Sequence, residues 1–173
     1  ATVPIDRQIN TIVAEAIDAW MPYRAAELFV AARAACRSFR GAFWNAERGC
    51  LHDCLSPDRG GWRPDPRIRP NQVLALALPH CPLEPHQQRS VLRVMRERLL
   101  TPVGLRTLDP ADPGYCPRYE GDMTARDRAY HNGTVWPWLL GPYAEAVLRL
   151  GDSSTAAKAE ARAALQPLWN ELV

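Results

Sequence analysis

The stretch ARDRAYHNGTVWPWLLGPYAEA, Ala125 to Ala146, gathers Arg126, Asp127, Arg128, Tyr130, His131, Asn132, Trp136 and Trp138 immediately before an apolar run. Two other clusters carry similar chemistry. Arg67-Ile68-Arg69-Pro70-Asn71-Gln72 sits where an apolar helix pattern begins, and Leu100 to Leu108 holds Thr101, Arg106 and Thr107. Guanidinium groups, amides, carboxylates and indoles together suit a neutral polyol. Planar polar groups pair with vicinal hydroxyls, and an indole face covers the apolar side of a sugar ring. Phosphate recognition would ask for a Gly-rich loop with a lysine. The one lysine is Lys158, no such loop exists, and no cofactor is expected. The competing reading is that these groups serve the fold, with Arg69, Arg106 and Arg126 tying loops to Asp109, Asp112 and Asp127, and Trp136 and Trp138 filling core.

Cys50-Leu51-His52-Asp53-Cys54 raises a metal reading with Cys50, His52 and Cys54 as ligands. Structural zinc asks for a fourth ligand and favours two residues between cysteines, so small thiols in a loop compete and no metal is assigned. Cys36, Cys50, Cys54, Cys81 and Cys116 form an odd, irregularly spaced set, which favours free thiols in a reducing compartment.

Net charge is +2, from 21 basic and 19 acidic residues spread along the chain. That argues against nucleic acid or an anionic membrane as partner. No apolar run approaches the ~18 residues that span a bilayer, and ATVPIDRQ lacks the pattern of a signal peptide. A cytoplasmic location is expected. The start at Ala1 suggests a processed protein or a piece of a longer one. The length of 173 residues, with 47% apolar, fits one domain with a real core.

Helical periodicity must position these groups. Six helices are expected. The first carries Ile5, Ile9, Ile12, Val13, Ala16, Ile17 and Trp20, and ends at Pro22. A second covers Ala25 to Trp44 with Leu28, Phe29, Ala32, Ala35, Cys36, Phe39 and Phe43 as its stripe. The third runs from Pro70 to Pro79, and the fourth from Pro85 to Leu100 with Val91, Leu92, Val94, Met95 and Leu99 inward. A fifth spans Thr134 to Leu150. The sixth follows Asp152-Ser153-Ser154 and reaches Leu172. No stretch alternates long enough to demand a strand, so the fold reads as all-α. Asn45 to Arg69 and Thr101 to Asn132 read as long loops that carry a site.

RPNQ, LLTPVGLRTLDPADPGY, YEGD and RDRAYHNGTVWPWLLGPY occur in that order. They resemble the C-terminal domain of bacterial and archaeal glycogen debranching enzymes, the amylo-α-1,6-glucosidase family, from about Phe39 to about Leu150. The resemblance implies part of an (α/α)6 toroid of the glucoamylase-like kind, a single helical unit over 1–173 forming roughly half of it. It implies hydrolysis of α-1,6-linked glucose at branch points with inversion, and a branched α-glucan such as glycogen or limit dextrin as partner.

Inversion needs an acid and a base roughly 6.5–9.5 Å apart. Eukaryotic relatives carry a Glu base where Val135 stands here, and no matching acid segment precedes Trp20, so no catalytic residue is assigned. Glu120, Asp122 and Asp127 are the local carboxylates. Asp127, between two arginines, reads as an ion-pair partner, because guanidinium groups lower a carboxyl pKa. Candidate sugar contacts are Arg69, Asn71, Gln72, Tyr130, His131, Trp136 and Trp138. Two alternatives remain: a non-catalytic α-glucan-binding domain, and a structural helical domain that binds a protein. Half a toroid exposes apolar edges, so self-association or the remainder of the catalytic domain is an expected partner.

Overall fold

The computed structural model describes residues 22–172, so the helix expected over Ile5 to Trp20 lies outside the described residues. The chain divides into two compact units, residues 1–39 and 40–173. Helix α1 (Pro22–Phe43) starts on a proline, whose fixed φ suits a first turn. In the first unit its predicted stripe meets solvent: Leu28 and Phe29 are 57% and 62% exposed, and the Arg33 guanidinium lies 5.7 Å from the Phe29 ring centre.

The second unit is built around α5 (Leu140–Leu150), against which α2 (Gln72–Ala77), α3 (Pro85–Arg98) and α6 (Thr155–Leu172) pack. Val73 and Leu76 of α2 are buried, as are Val91, Leu92, Val94 and Met95 of α3, with Leu99 just beyond it, and Tyr143, Ala146 and Val147 of α5. These recur at three- and four-residue steps and form one core. Each fully buried aliphatic side chain contributes about 1.5–3 kcal/mol of transfer free energy. The ends of the helices are set locally. Glu84 and Gln87 form a reciprocal capping box at α3, with Pro85 in its first turn. Ser154 Oγ accepts the Ala157 amide at the start of α6. Arg40 ties the end of α1 to the start of α3, donating to Pro82 O at 2.6 Å and pairing with Glu84 at 3.1 Å. Pro167 lies inside α6.

The fold is mainly helical, but strands absent from the sequence reading appear in both predicted loops. Strands β1 (Trp44–Asn45) and β2 (Cys50–Leu51) form one antiparallel pair, and β3 (Leu55–Asp58) and β4 (Gly61–Pro64) a second. The third sheet runs β5 (Leu100–Thr101), β6 (Gly104–Arg106), β7 (Val135–Trp136). Two to four residues are too few for alternation to show in a sequence, so turns and cross-strand bonds decide these pairs. At Gly104 a Cβ would meet the Trp136 carbonyl at 2.7 Å, so the β6–β7 approach requires glycine. The predicted helix at Thr134 instead begins at Leu140, after β7 and a 3-10 turn (Pro137–Leu139). A further helix, α4 (Met123–Tyr130), occupies the predicted second loop. Only Ala129 of α4 is buried, so it carries no apolar stripe that periodicity could detect. Among the described residues, no helix is long and apolar enough to cross a membrane.

Candidate functional site

The β3–β4 hairpin brings its two bases together. Asp53 N donates to Asp65 O, and Asp65 N donates to Cys54 O, both at 2.9 Å, which extends the pairing beyond the strands. As a result Asp53, Cys54 and Asp65 present one ligand atom each within 4.8 Å of one another. They line a cavity of about 290 Å³ together with Arg67, Arg69, Asn71, Thr107 and His131. Neither aspartate was singled out from the sequence. The signal available was the Asp58-Arg59-Gly60-Gly61 turn, which would have set them opposite each other.

The extended segment before α2 supplies the opposite charge. Arg67 grips the Asp65 carboxylate through Nε and Nη2, and this hydrogen bond holds Asp65 below the usual carboxylate range. Arg69 works inward, with its side chain 12% exposed. Nη1 donates to Thr107 O at 3.1 Å and to His131 O, Nη2 donates to Asn132 Oδ1 at 2.9 Å, and Nε lies 3.6 Å from Asp53. Its rigid fork thus staples the turn after α4 to the β6 side. Asn71 donates to Asp53 Oδ1 at 2.9 Å. Gln72 points into the core, accepting the Leu51 amide and donating to Arg69 O, so both ends of its amide are engaged.

That turn is fixed on all sides. Gly133 N donates to Thr107 Oγ1 at 2.8 Å, and Cys116 N donates to Asn132 O at 2.6 Å. Around it stand three rings. Tyr130 is perpendicular to His131 (4.6 Å between ring centres, 84°) and to Trp136 (4.9 Å, 88°), edge geometries favoured by ring quadrupoles. Trp136 Nε1 donates to Tyr130 O at 3.3 Å. Of the seven candidates, Arg69, Asn71 and His131 meet at the cavity, while Tyr130 and Trp136 join through the His131 ring. Trp138 is 58% exposed and makes no ring contact with a described residue.

Two carboxylates and two guanidinium groups balance, which favours an uncharged, hydroxyl-rich ligand over an ion. The guanidinium groups also oppose a cation beside Asp53, Cys54 and Asp65. Cys50, His52 and Cys54 do not form a common cluster: Cys50 is fully buried, Cys54 is exposed, and burial pushes the Cys50 thiol pKa up. The expected ion pair of Asp127 is not formed with any described residue. Asp127 and both flanking arginines are exposed on α4. Asp122 instead caps α4, accepting the Ala125 amide at 2.8 Å. A second cavity of about 420 Å³ is lined by the ion pairs Arg98–Asp109 and Arg93–Glu97, both at 3.0 Å, the second of them along α3.

The sequence is similar to known proteins in two ways. An alignment of 88 residues is 34% identical to the glycogen debranching enzyme of Saccharomyces cerevisiae, covering 47% of this chain and 6% of the yeast protein. The chain therefore spans a small part of the length of that relative. Residues 11–173 match the amylo-alpha-1,6-glucosidase family, and the chain belongs to that family.

Proposed function

We propose that the chain is the substrate-gripping portion of a debranching glucosidase of the bacterial and archaeal type, acting on the α-1,6 branch points of a glycogen-like glucan in the cytoplasm. The observation that carries this reading is the charge-balanced cavity lined by His131, whose ring packs against those of Tyr130 and Trp136. Asp53, Asp65 and Asn71 take sugar hydroxyls, and His131 borders the ring. Arg69 and Gln72 act as braces behind them, and Trp138, exposed nearby in sequence, offers a further indole to sugar. The helices form part of an (α/α)6 toroid, completed by the remainder of the catalytic domain.

Inversion requires carboxyl groups roughly 6.5–9.5 Å apart, one of them with a raised pKa. Asp53 and Asp65 stand within 4.8 Å, and Asp65 is depressed, so this pair holds substrate while acid and base come from other residues. The same observation favours a second reading, in which the chain binds α-glucan without cleaving it.

The test is a tryptophan-fluorescence titration with a singly branched limit dextrin, comparing the protein with Trp136→Ala. A saturable change that the variant loses supports the site. No change at millimolar sugar refutes it. Glucose release would separate the two readings.

A further inference from the structure

Beyond the cavity, the aromatic surface continues in one direction. His131 lines the cavity, its ring lies 4.6 Å from Tyr130, and the Tyr130 ring lies 5.8 Å from Tyr119, tilted by 53°. The two tyrosines are exposed, Tyr130 by 40% and Tyr119 by 50%. Neither phenol hydroxyl makes a hydrogen bond with a described residue. A buried tyrosine satisfies its hydroxyl; these two are part-exposed and leave theirs open.

The rings are nonetheless held in place. Trp136 stands edge-on behind Tyr130 and donates to its backbone carbonyl. Tyr119 lies between Arg118 and Glu120, whose side chains approach each other at 3.8 Å, so the flank carries no net charge.

We propose that Tyr119 and Tyr130 form a platform for glucose units beyond the one in the cavity, so that the site selects longer α-glucan arms over short ones. The proposal rests on the glucan reading above and adds a length preference to it. The steps from His131 to Tyr130 and from Tyr130 to Tyr119 are each comparable to the advance of one glucose unit along a chain. Each tyrosine offers a flat apolar face to the C–H side of a pyranose and a free hydroxyl to its rim. Tyr119 is the outermost contact, and it belongs to neither the cavity nor the braced turn.

The experiment is isothermal titration of the protein, Tyr119→Ala and Tyr119→Leu with two sugars: isomaltose, which fills the cavity and little more, and a branched limit dextrin with a longer arm. The wild-type chain is expected to bind the dextrin more tightly than isomaltose. Both variants should lose roughly three- to tenfold in dextrin affinity while isomaltose is unchanged. The leucine keeps apolar bulk without a flat face, so its loss identifies stacking. Tyr119 is half-exposed, and melting curves establish that the variants are folded. If the wild type binds both sugars and the variants bind dextrin equally well, the platform is overturned and the glucan reading stands. If the wild type binds neither, both fall.

Discussion

Arg69 shows how a cation at the edge of a cavity can be held by the fold itself. From the sequence it is a cation in a polar cluster. In the structure three of its donors are committed to Thr107, His131 and Asn132, so it acts on the site through the turn it holds. Charge-assisted hydrogen bonds of this kind contribute about 1.5–3 kcal/mol apiece. Arg69→Ala should therefore lower unfolding stability by about 2–4 kcal/mol, read from urea melts. Arg69→Lys should recover only a small part, because an ammonium cannot reproduce the fork. Equal stability of Arg69→Lys and the parent would show that charge alone suffices. Thiol reactivity offers a second check at this scale. Cys54 is exposed and should react with a maleimide in the native state, while Cys50, buried and with its thiol pKa raised, should react only on unfolding.

Among the elements, the turn joining α4 to β7 is the most constrained. Gly133 has φ of +152°, and a Cβ there would run into the Cys116 carbonyl. Gly133→Ala should cost more than about 2 kcal/mol, whereas Gly60→Ala, with open space around it, should change the melting temperature little. A melt that treats the two alike would mean that the turn relaxes. The same contrast explains what the sequence could reveal. Helices α3 and α5 were legible because Val91, Val94 and Met95, or Tyr143 and Val147, repeat on one face. The hairpins were not, because strands of two to four residues are too short to show a period. The site was half legible: His131 and Asn71 stand out by type and place. Asp53 and Asp65 become neighbours only through a hairpin that joins positions twelve apart in sequence.

At the scale of the whole molecule, stability should peak near neutral pH. Asp65 has a depressed pKa in the folded state, so its contribution is present above about pH 4 and is lost as pH falls through the folded value. Cys50 and Tyr143 are raised by burial. Stability therefore declines once pH climbs past about 8.5, where the unfolded thiol ionises first. Asp65→Asn should flatten the acid limb of a pH–melting curve and leave the alkaline limb unchanged; a shifted alkaline limb would assign the effect elsewhere. A helix end gives the last consequence. Pro167 cannot donate to the carbonyl one turn back, so the final segment of α6 is tied to its beginning by one bond fewer. Amide protons after Pro167 should exchange with deuterium well before those between Lys158 and Arg162. Leu168 and Trp169, which line an open apolar groove with Leu165, would then ride on a segment that opens without unfolding the core.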